Sequence, residues 1–188
     1  MLLRQKLWRV AITGIVVIVT GCTNGTIARQ TSPIASLPAQ EISGGCAGTQ
    51  VIARGAPPDW AQAGFTAQPG SPWRVPWALG KPGDALAYVF AGQLVAQGHR
   101  PDGTSNKILW VARSAPPERI EGRPLGRSGP VVEVLGGATN GNQVPTIVDV
   151  PTPGCWSFSV SWDGGKRSTI NLDVLPAGAT PLRPSPSV

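Results

Sequence analysis

Histidine and the common motifs of metal or nucleotide chemistry are scarce in this sequence. Its 188 residues include one histidine, His99, and three cysteines. There is no C-x-x-C or H-E-x-x-H pair, no glycine-rich nucleotide loop, no serine-hydrolase elbow and no paired-carboxylate motif. We therefore expect a non-catalytic protein without a metal site or a cofactor, and we interpret His99 as a solvated loop residue.

The sequence also lacks a dense run of lysine and arginine. The formal net charge is +6, but Arg4, Lys6 and Arg9 of the first segment supply part of it. Nucleic-acid-binding chains usually concentrate their basic residues in a patch or stripe. We therefore expect no nucleic-acid partner.

The N-terminal segment has the pattern of an export signal. A basic start is followed by the apolar run from Val10 to Thr20, which is too short for a bilayer span of about 20 residues. The run ends on Val19-Thr20-Gly21-Cys22, which resembles the lipobox of bacterial lipoproteins. That resemblance implies cleavage after residue 21 and a lipid on Cys22. It also implies export and anchoring to a bacterial membrane, on the side facing away from the cytoplasm.

Two further segments are small, polar and rich in proline, glycine and serine. We expect residues 22–45 to be the lipidated cysteine and a flexible linker, and residues 176–188 to be a disordered tail. The domain between them, residues 46–175, shows no helical period and no internal repeat.

Short β-branched and aromatic runs recur in that domain, with glycine and proline between them. They predict an all-β, antiparallel Ig-like β-sandwich of about seven or eight strands. Residues 85–91 and 107–113 are apolar on both faces and should form central strands. The other candidate strands are 49–54, 93–96, 130–135, 145–150, 155–162 and 168–175.

The segment 55–80 differs from the rest of the domain because it contains five prolines and three tryptophans. Proline cannot donate to a β-ladder, so we expect an irregular excursion here. Its tryptophans, Trp60, Trp73 and Trp77, either pack onto the sandwich or form a platform for a glycan or another small ligand.

The last two strands can be paired by the parity of their apolar residues. Trp156, Phe158 and Ile170 should be buried, with Ser157 and Ser159 on the opposite face. A three-residue loop, Asp163-Gly164-Gly165, places Phe158 opposite Ile170 and Trp156 opposite Leu172. We expect a type I turn followed by a bulge, with glycine in the left-handed conformation at the third loop position.

Cys155 allows two interpretations. The run "TPGCW" superficially resembles the S-x-G-C segment of L,D-transpeptidases, which would make Cys155 a nucleophile for acyl transfer. A thiolate needs a positive partner or a base, however, and no histidine lies in the fifty residues before it. If Cys22 carries lipid, Cys46 and Cys155 are the remaining pair, and outside the cytoplasm such a pair usually forms a disulfide. We expect this bond, with Cα atoms about 5–6 Å apart.

The runs "KILWVAR", "RIEGRPL", "VDVPTPGCWSFSVSW" and "INLDV" resemble, in this order, a group of uncharacterised exported bacterial proteins and lipoproteins. The resemblance covers Cys46 and then Lys107 to Val174. It implies a β-sandwich and supplies no biochemical activity. The matching positions are Cys46, Trp110, Gly122, Arg123, Gly154, Cys155 and Trp156.

Three functions follow from these patterns. The first is a membrane-tethered, non-catalytic envelope module that binds or supports a protein partner. The second is a module for a glycan or small ligand, which would use Trp60, Trp73 and Trp77. The third is a cysteine acyl-transferase that would use Cys155.

Overall fold

The computed structural model describes residues 39–62, 75–98, 100–136 and 141–181. They belong to one unit, Ala35–Val188. Cys22, Trp73 and His99 lie outside the described residues, as do the predicted signal peptide and most of the predicted linker. In the described residues no helix is long and apolar enough to cross a membrane.

In the part of the chain that the structure describes, eleven strands form two sheets, so the all-β sandwich prediction is confirmed and its strand count of seven or eight was too low. The strands are β1 (Gln40–Ile42), β2 (Val51–Arg54), β3 (Trp77–Leu79), β4 (Ala85–Val89), β5 (Leu94–Val95), β6 (Lys107–Ala112), β7 (Arg119–Pro124), β8 (Val132–Leu135), β9 (Gln143–Ile147), β10 (Gly154–Trp162) and β11 (Lys166–Leu175). Two short 3-10 segments, Asp59–Ala61 and Ala96–Gly98, lie between strands. The six-stranded sheet has the order β1-β2-β3-β4-β6-β9, and the five-stranded sheet has the order β5-β11-β10-β7-β8.

The main core lies between the two sheets, where their alternate residues interdigitate. The Trp110 and Phe158 rings meet there with centroids 5.5 Å apart. Trp156, Phe158 and Ile170 are at most 1% exposed, which confirms the predicted buried face. Gly122 lies opposite Phe158, and a Cβ on Gly122 would come within 2.8 Å of the Phe158 ring. This strand needs glycine because an aromatic ring packs over its backbone.

The six-stranded sheet is also apolar on its outer face. Leu86 and Tyr88 of β4, with Leu109 and Val111 of β6, form a second core cluster there together with Ala61. The predicted central strands β4 and β6 are neighbours inside this sheet. Strands buried on both faces read as continuous apolar runs, and this is why both were recognised.

The final hairpin has the predicted register. Phe158 pairs with Ile170 and Trp156 pairs with Leu172 across β10 and β11. The turn type differs from the prediction, because Asp163 and Gly164 both have positive φ, 47° and 69°. Two positive φ values at the turn centre are typical of a type I′ turn, whose twist matches that of the strands. Gly165 follows as the bulge residue, with φ of 119°.

Four further expectations need correction. Trp77–Leu79 is a strand within the segment expected to be irregular. Residues 40–45 belong to the sandwich rather than to a linker, because β1 pairs with β2 and Gly45 bridges to Leu172. The predicted tail begins with an ordered turn, and Pro181 is buried. The sandwich is not wholly antiparallel, since the short strand β5 runs parallel to β11.

Candidate functional site

Cys46 and Cys155 form a disulfide, as predicted. Their Cα atoms are 5.9 Å apart, and 109 residues separate them in the chain. Cys155 belongs to β10, whereas Cys46 lies in the turn before β2 and donates its backbone N–H to Asn171 of β11. The bond therefore fastens the start of the domain onto the closing hairpin. While it is intact, Cys155 has no thiol that could act as a nucleophile.

The described tryptophans of the Pro/Trp-rich segment pack onto the outer face of the six-stranded sheet. Trp60 and Trp77 are half-buried against the second core cluster. The Trp77 indole N–H donates to the Gly55 carbonyl at 3.1 Å. The guanidinium of Arg113 lies 5.1 Å from the Trp60 ring centroid. The Trp60 and Trp77 side chains therefore cover apolar surface, and the Trp60 ring already has Arg113 as a cationic partner.

Tyr88 holds the segment that contains Trp60 and Ala61 against the outer face of the six-stranded sheet. Its hydroxyl donates to the Ala61 carbonyl at 2.8 Å, and the ring is fully buried. Burial raises the pKa of Tyr88 to about 12, because the phenolate would lose its hydration. The Asn142 amide donates to the Trp60 carbonyl at 3.1 Å and holds the other side of the segment.

The outer face of the five-stranded sheet has a different character, because its central strand presents a row of serines. Ser157, Ser159 and Ser161 alternate with the buried apolar residues of β10. We call this row, with the β7 and β11 side chains on either side of it, the serine trough. Serine is short and its neighbours on β7 are long, so the row forms the floor. The flanking residues are Arg119, Glu121 and Arg123 on β7, and Arg167, Thr169 and Asn171 on β11.

The β7 side of the trough is an ion-pair ladder. Glu121 accepts from Arg123 at 2.7 Å and from Arg119 at 3.1 Å. Arg119 also pairs with Glu133 of β8 at 2.9 Å. The hydrogen bond from Arg123, with the charges of Arg123, Arg119 and Arg167, lowers the pKa of Glu121. The ladder holds two guanidinium groups beside the serine row, and most of their N–H donors have no hydrogen-bond partner in the part of the chain that the structure describes.

Arg167 supplies positive charge on the β11 side. It is exposed and lies directly across Ser161 from Arg119. Among the described residues it has no ion-pair partner. The trough therefore has three arginines against one glutamate on its two sides.

The two ends of the trough differ. At one end, the disulfide and the turn from Cys46 to Thr49 lie against β11, where the Thr49 hydroxyl accepts from the Asn171 backbone N–H at 3.0 Å. At the other end lies the hairpin turn, with Lys166 and Asp163 paired at 2.6 Å. One end is thus bounded by a covalent cross-link and the other by a tight turn.

Sequence reasoning missed the β7 side of this site. The run "RIEGRP" was noticed as a motif but was not assigned to a strand, because glycine, proline and three charges disfavour β structure. A signal was nevertheless present. Ile120, Gly122 and Pro124 alternate with Arg119, Glu121 and Arg123, which is the two-residue period of a half-buried strand.

Metal chemistry finds no support in the described ranges. They contain no group of three or more His, Cys, Asp or Glu residues that could hold an ion. Comparison of the chain with protein-family models, curated proteins and solved structures found no match.

Proposed function

We propose that this protein is a non-catalytic module of the bacterial envelope, tethered to a membrane through lipid on Cys22, that binds a protein partner through the serine trough. One observation carries the binding part of the proposal. Among the described residues, the sandwich covers the outer face of its six-stranded sheet with its own chain and leaves the outer face of the five-stranded sheet uncovered. The uncovered face presents hydroxyl groups and arginines, which suit directional hydrogen bonding to a partner.

The proposal of a protein partner gains support because a role in stability explains the exposed ion-pair ladder poorly. Exposed ion pairs contribute about 0–1 kcal/mol each to stability. Arg119, Arg123 and Glu121 have side chains that are 50%, 59% and 24% exposed. Folding therefore gains little from this ladder, whereas arginine forks recognise carboxylates well.

A photo-crosslinking amino acid in place of Ser159 tests the binding surface in intact cells. We expect a discrete, protease-sensitive adduct of higher mass, because the side chain at 159 faces the bound partner. The control carries the same amino acid in place of Pro101, an exposed turn residue outside the trough. Absence of an adduct at position 159, or an identical adduct at position 101, would contradict the proposed surface.

Two features support the location. The Val19–Cys22 pattern resembles a lipobox, and disulfides persist mainly in oxidising compartments. Labelled fatty acid should therefore enter the protein, and Cys22→Ser should abolish the labelling. Undiminished labelling of Cys22→Ser would contradict the anchor without touching the binding surface.

The two alternatives gain less from the structure. A glycan platform would need exposed ring faces, whereas Trp60 and Trp77 cover apolar surface and Trp73 lies outside the described residues. An acyl-transferase would need the Cys155 thiol, which the disulfide with Cys46 occupies.

A further inference from the structure

The spacing of the trough floor matches one edge of an extended polypeptide. Alternate residues of a strand recur about every 6.6–6.8 Å, and the same repeat separates successive C=O and N–H groups along one edge of an extended chain. Ser157, Ser159 and Ser161 follow this repeat. The hydroxyls of Ser157 and Ser159 have no hydrogen-bond partner among the described residues, and that of Ser161 donates to the Arg119 carbonyl at 3.2 Å.

The trough is also wide enough for one such chain. The strands β7 and β11 flank β10, and neighbouring strands lie about 4.7–4.9 Å apart. The two side walls therefore stand about 10 Å apart, measured between backbones. An extended segment lying along β10 with its amide edge toward the serines would direct alternate side chains to the two walls.

The charges of the walls then define which side chains fit. Arg119 and Arg123 are four residues apart on β7, with Glu121 between them. Side chains i and i+4 of the occupant would face these two arginines, and side chain i+2 would face Glu121. On the other wall, Arg167 faces the opposite set of side chains.

We infer that the serine trough binds an extended, acidic segment of a partner protein, with carboxylates four residues apart and a neutral or basic residue midway between them. This inference rests on the proposed function and names the chemistry of the partner. The serine hydroxyls bind the backbone of the segment, and Arg119 and Arg123 bind its carboxylates.

An anionic membrane surface fits the same face less well. A lipid surface presents negative charge without gaps, and it would bring that charge against Glu121 and Glu133. An acidic peptide avoids this repulsion because its residue i+2 need not be charged. The alternation of charge along β7 therefore favours a polypeptide.

Two nine-residue peptides of equal composition test the inference by fluorescence anisotropy. Both consist of threonine with two glutamates, placed at i and i+4 in one peptide and at i and i+2 in the other. The protein is the full chain in non-ionic detergent micelles. We expect the i,i+4 peptide to bind at least about tenfold more tightly, because its two carboxylates face Arg119 and Arg123, whereas the i,i+2 peptide brings its second carboxylate against Glu121. Equal binding of the two peptides would overturn the inference.

Arginine variants test the pairing directly. Arg123→Gln should weaken binding of the i,i+4 peptide by about tenfold, since it removes one charge-assisted contact. Arg113→Gln is the matched control, because Arg113 is 54% exposed and ion-paired to Asp84 at 3.0 Å on a different part of the surface. Arg123→Glu should restore binding to a peptide that carries lysine at that position. Equal losses in Arg123→Gln and Arg113→Gln, or no rescue by lysine, would overturn the pairing.

Vesicles containing phosphatidylglycerol provide the membrane comparison. Binding to vesicles that Arg123→Gln weakens, without discrimination between the two peptides, would replace the inference with a lipid surface. A persistent adduct at position 159 in cells, combined with no peptide binding, would overturn the acidic segment while leaving the proposed protein-binding face standing.

Discussion

The two outer faces of the sandwich are opposites. The six-stranded sheet is apolar outside, and its cluster of Leu86, Tyr88, Leu109 and Val111 is covered by the chain segment that contains Trp60. The five-stranded sheet is polar outside, and the described residues that meet the β11 edge of its serine trough are the turn after Cys46 and Lys81, which bridges to Thr169. The first face is used by folding. The second has no such cover among the described residues, and this is why we propose that it binds the partner.

The difference arises from the residue pattern of single strands. On β4 every residue is buried, so the strand needs cover on both sides. On β10 the burial alternates strictly from Trp156 onward, so one side can meet water. A strand that alternates commits only half of its side chains to stability, and the other half can be chosen for recognition.

The variant with the largest expected effect on stability tests which face of β10 lies in the core. Phe158→Ala should reduce the free energy of unfolding by about 3–5 kcal/mol, because it leaves a cavity beside Trp110 and Gly122. Chemical denaturation followed by tryptophan fluorescence measures it. The control is Ser157→Ala, on the same strand and the opposite face, which should change stability by less than about 0.5 kcal/mol. A loss below about 1 kcal/mol in Phe158→Ala would mean that the two faces have been exchanged.

The disulfide should have the next largest effect. Replacing both Cys46 and Cys155 by alanine should cost about 2–4 kcal/mol, because the bond closes a loop long enough to restrict the unfolded chain strongly. Denaturation of the double variant against the oxidised wild type gives the difference. Reduced wild type should match the double variant. If oxidised wild type and the double variant unfold at the same denaturant concentration, the bond does not stabilise the domain.

Tyr88 offers a pH test of the covered face. Its pKa is raised from 10.0 to about 12 in the folded state, so the unfolded chain loses this proton first as pH rises. Stability should therefore be fully present below pH 10 and decline by about 1.4 kcal/mol per pH unit between 10 and 12. Comparison with Tyr88→Phe isolates this contribution, because the variant cannot ionise at position 88. Parallel stability curves for both proteins above pH 10 would show that the ring is not buried.

The parts of the fold that the sequence predicted are those with a strong local pattern. The hairpin register followed from parity, since a one-residue slip would expose either Phe158 or Ile170. The central strands β4 and β6 followed from apolar runs, and the disulfide followed from the number of cysteines and from the expectation of an oxidising compartment. The short strands β1 and β3 were missed because three residues carry no usable period, and their pairing partners are distant in the chain.

The candidate site was only half predicted. The serines were placed on the outer face, but the arginines beside them were not, because β7 reads locally as a charged turn. Its assignment as a strand depends on pairing with β10, and on a glycine that makes room for Phe158. Such a contact joins residues far apart in sequence, and no window of the sequence contains it.

The variant with the smallest expected effect on stability tests the difference between the two outer faces most directly. The double variant Ser157→Ala/Ser159→Ala removes two hydroxyls that have no hydrogen-bond partner among the described residues. The free energy of unfolding should therefore change by less than about 0.5 kcal/mol. Binding of the acidic i,i+4 peptide should nevertheless weaken by about tenfold, because two hydrogen bonds to its backbone are lost. Anisotropy and denaturation on the same sample measure both quantities. Normal binding by the double variant would show that the serine hydroxyls do not bind the peptide. A large loss of stability would show that these hydroxyls contribute to folding.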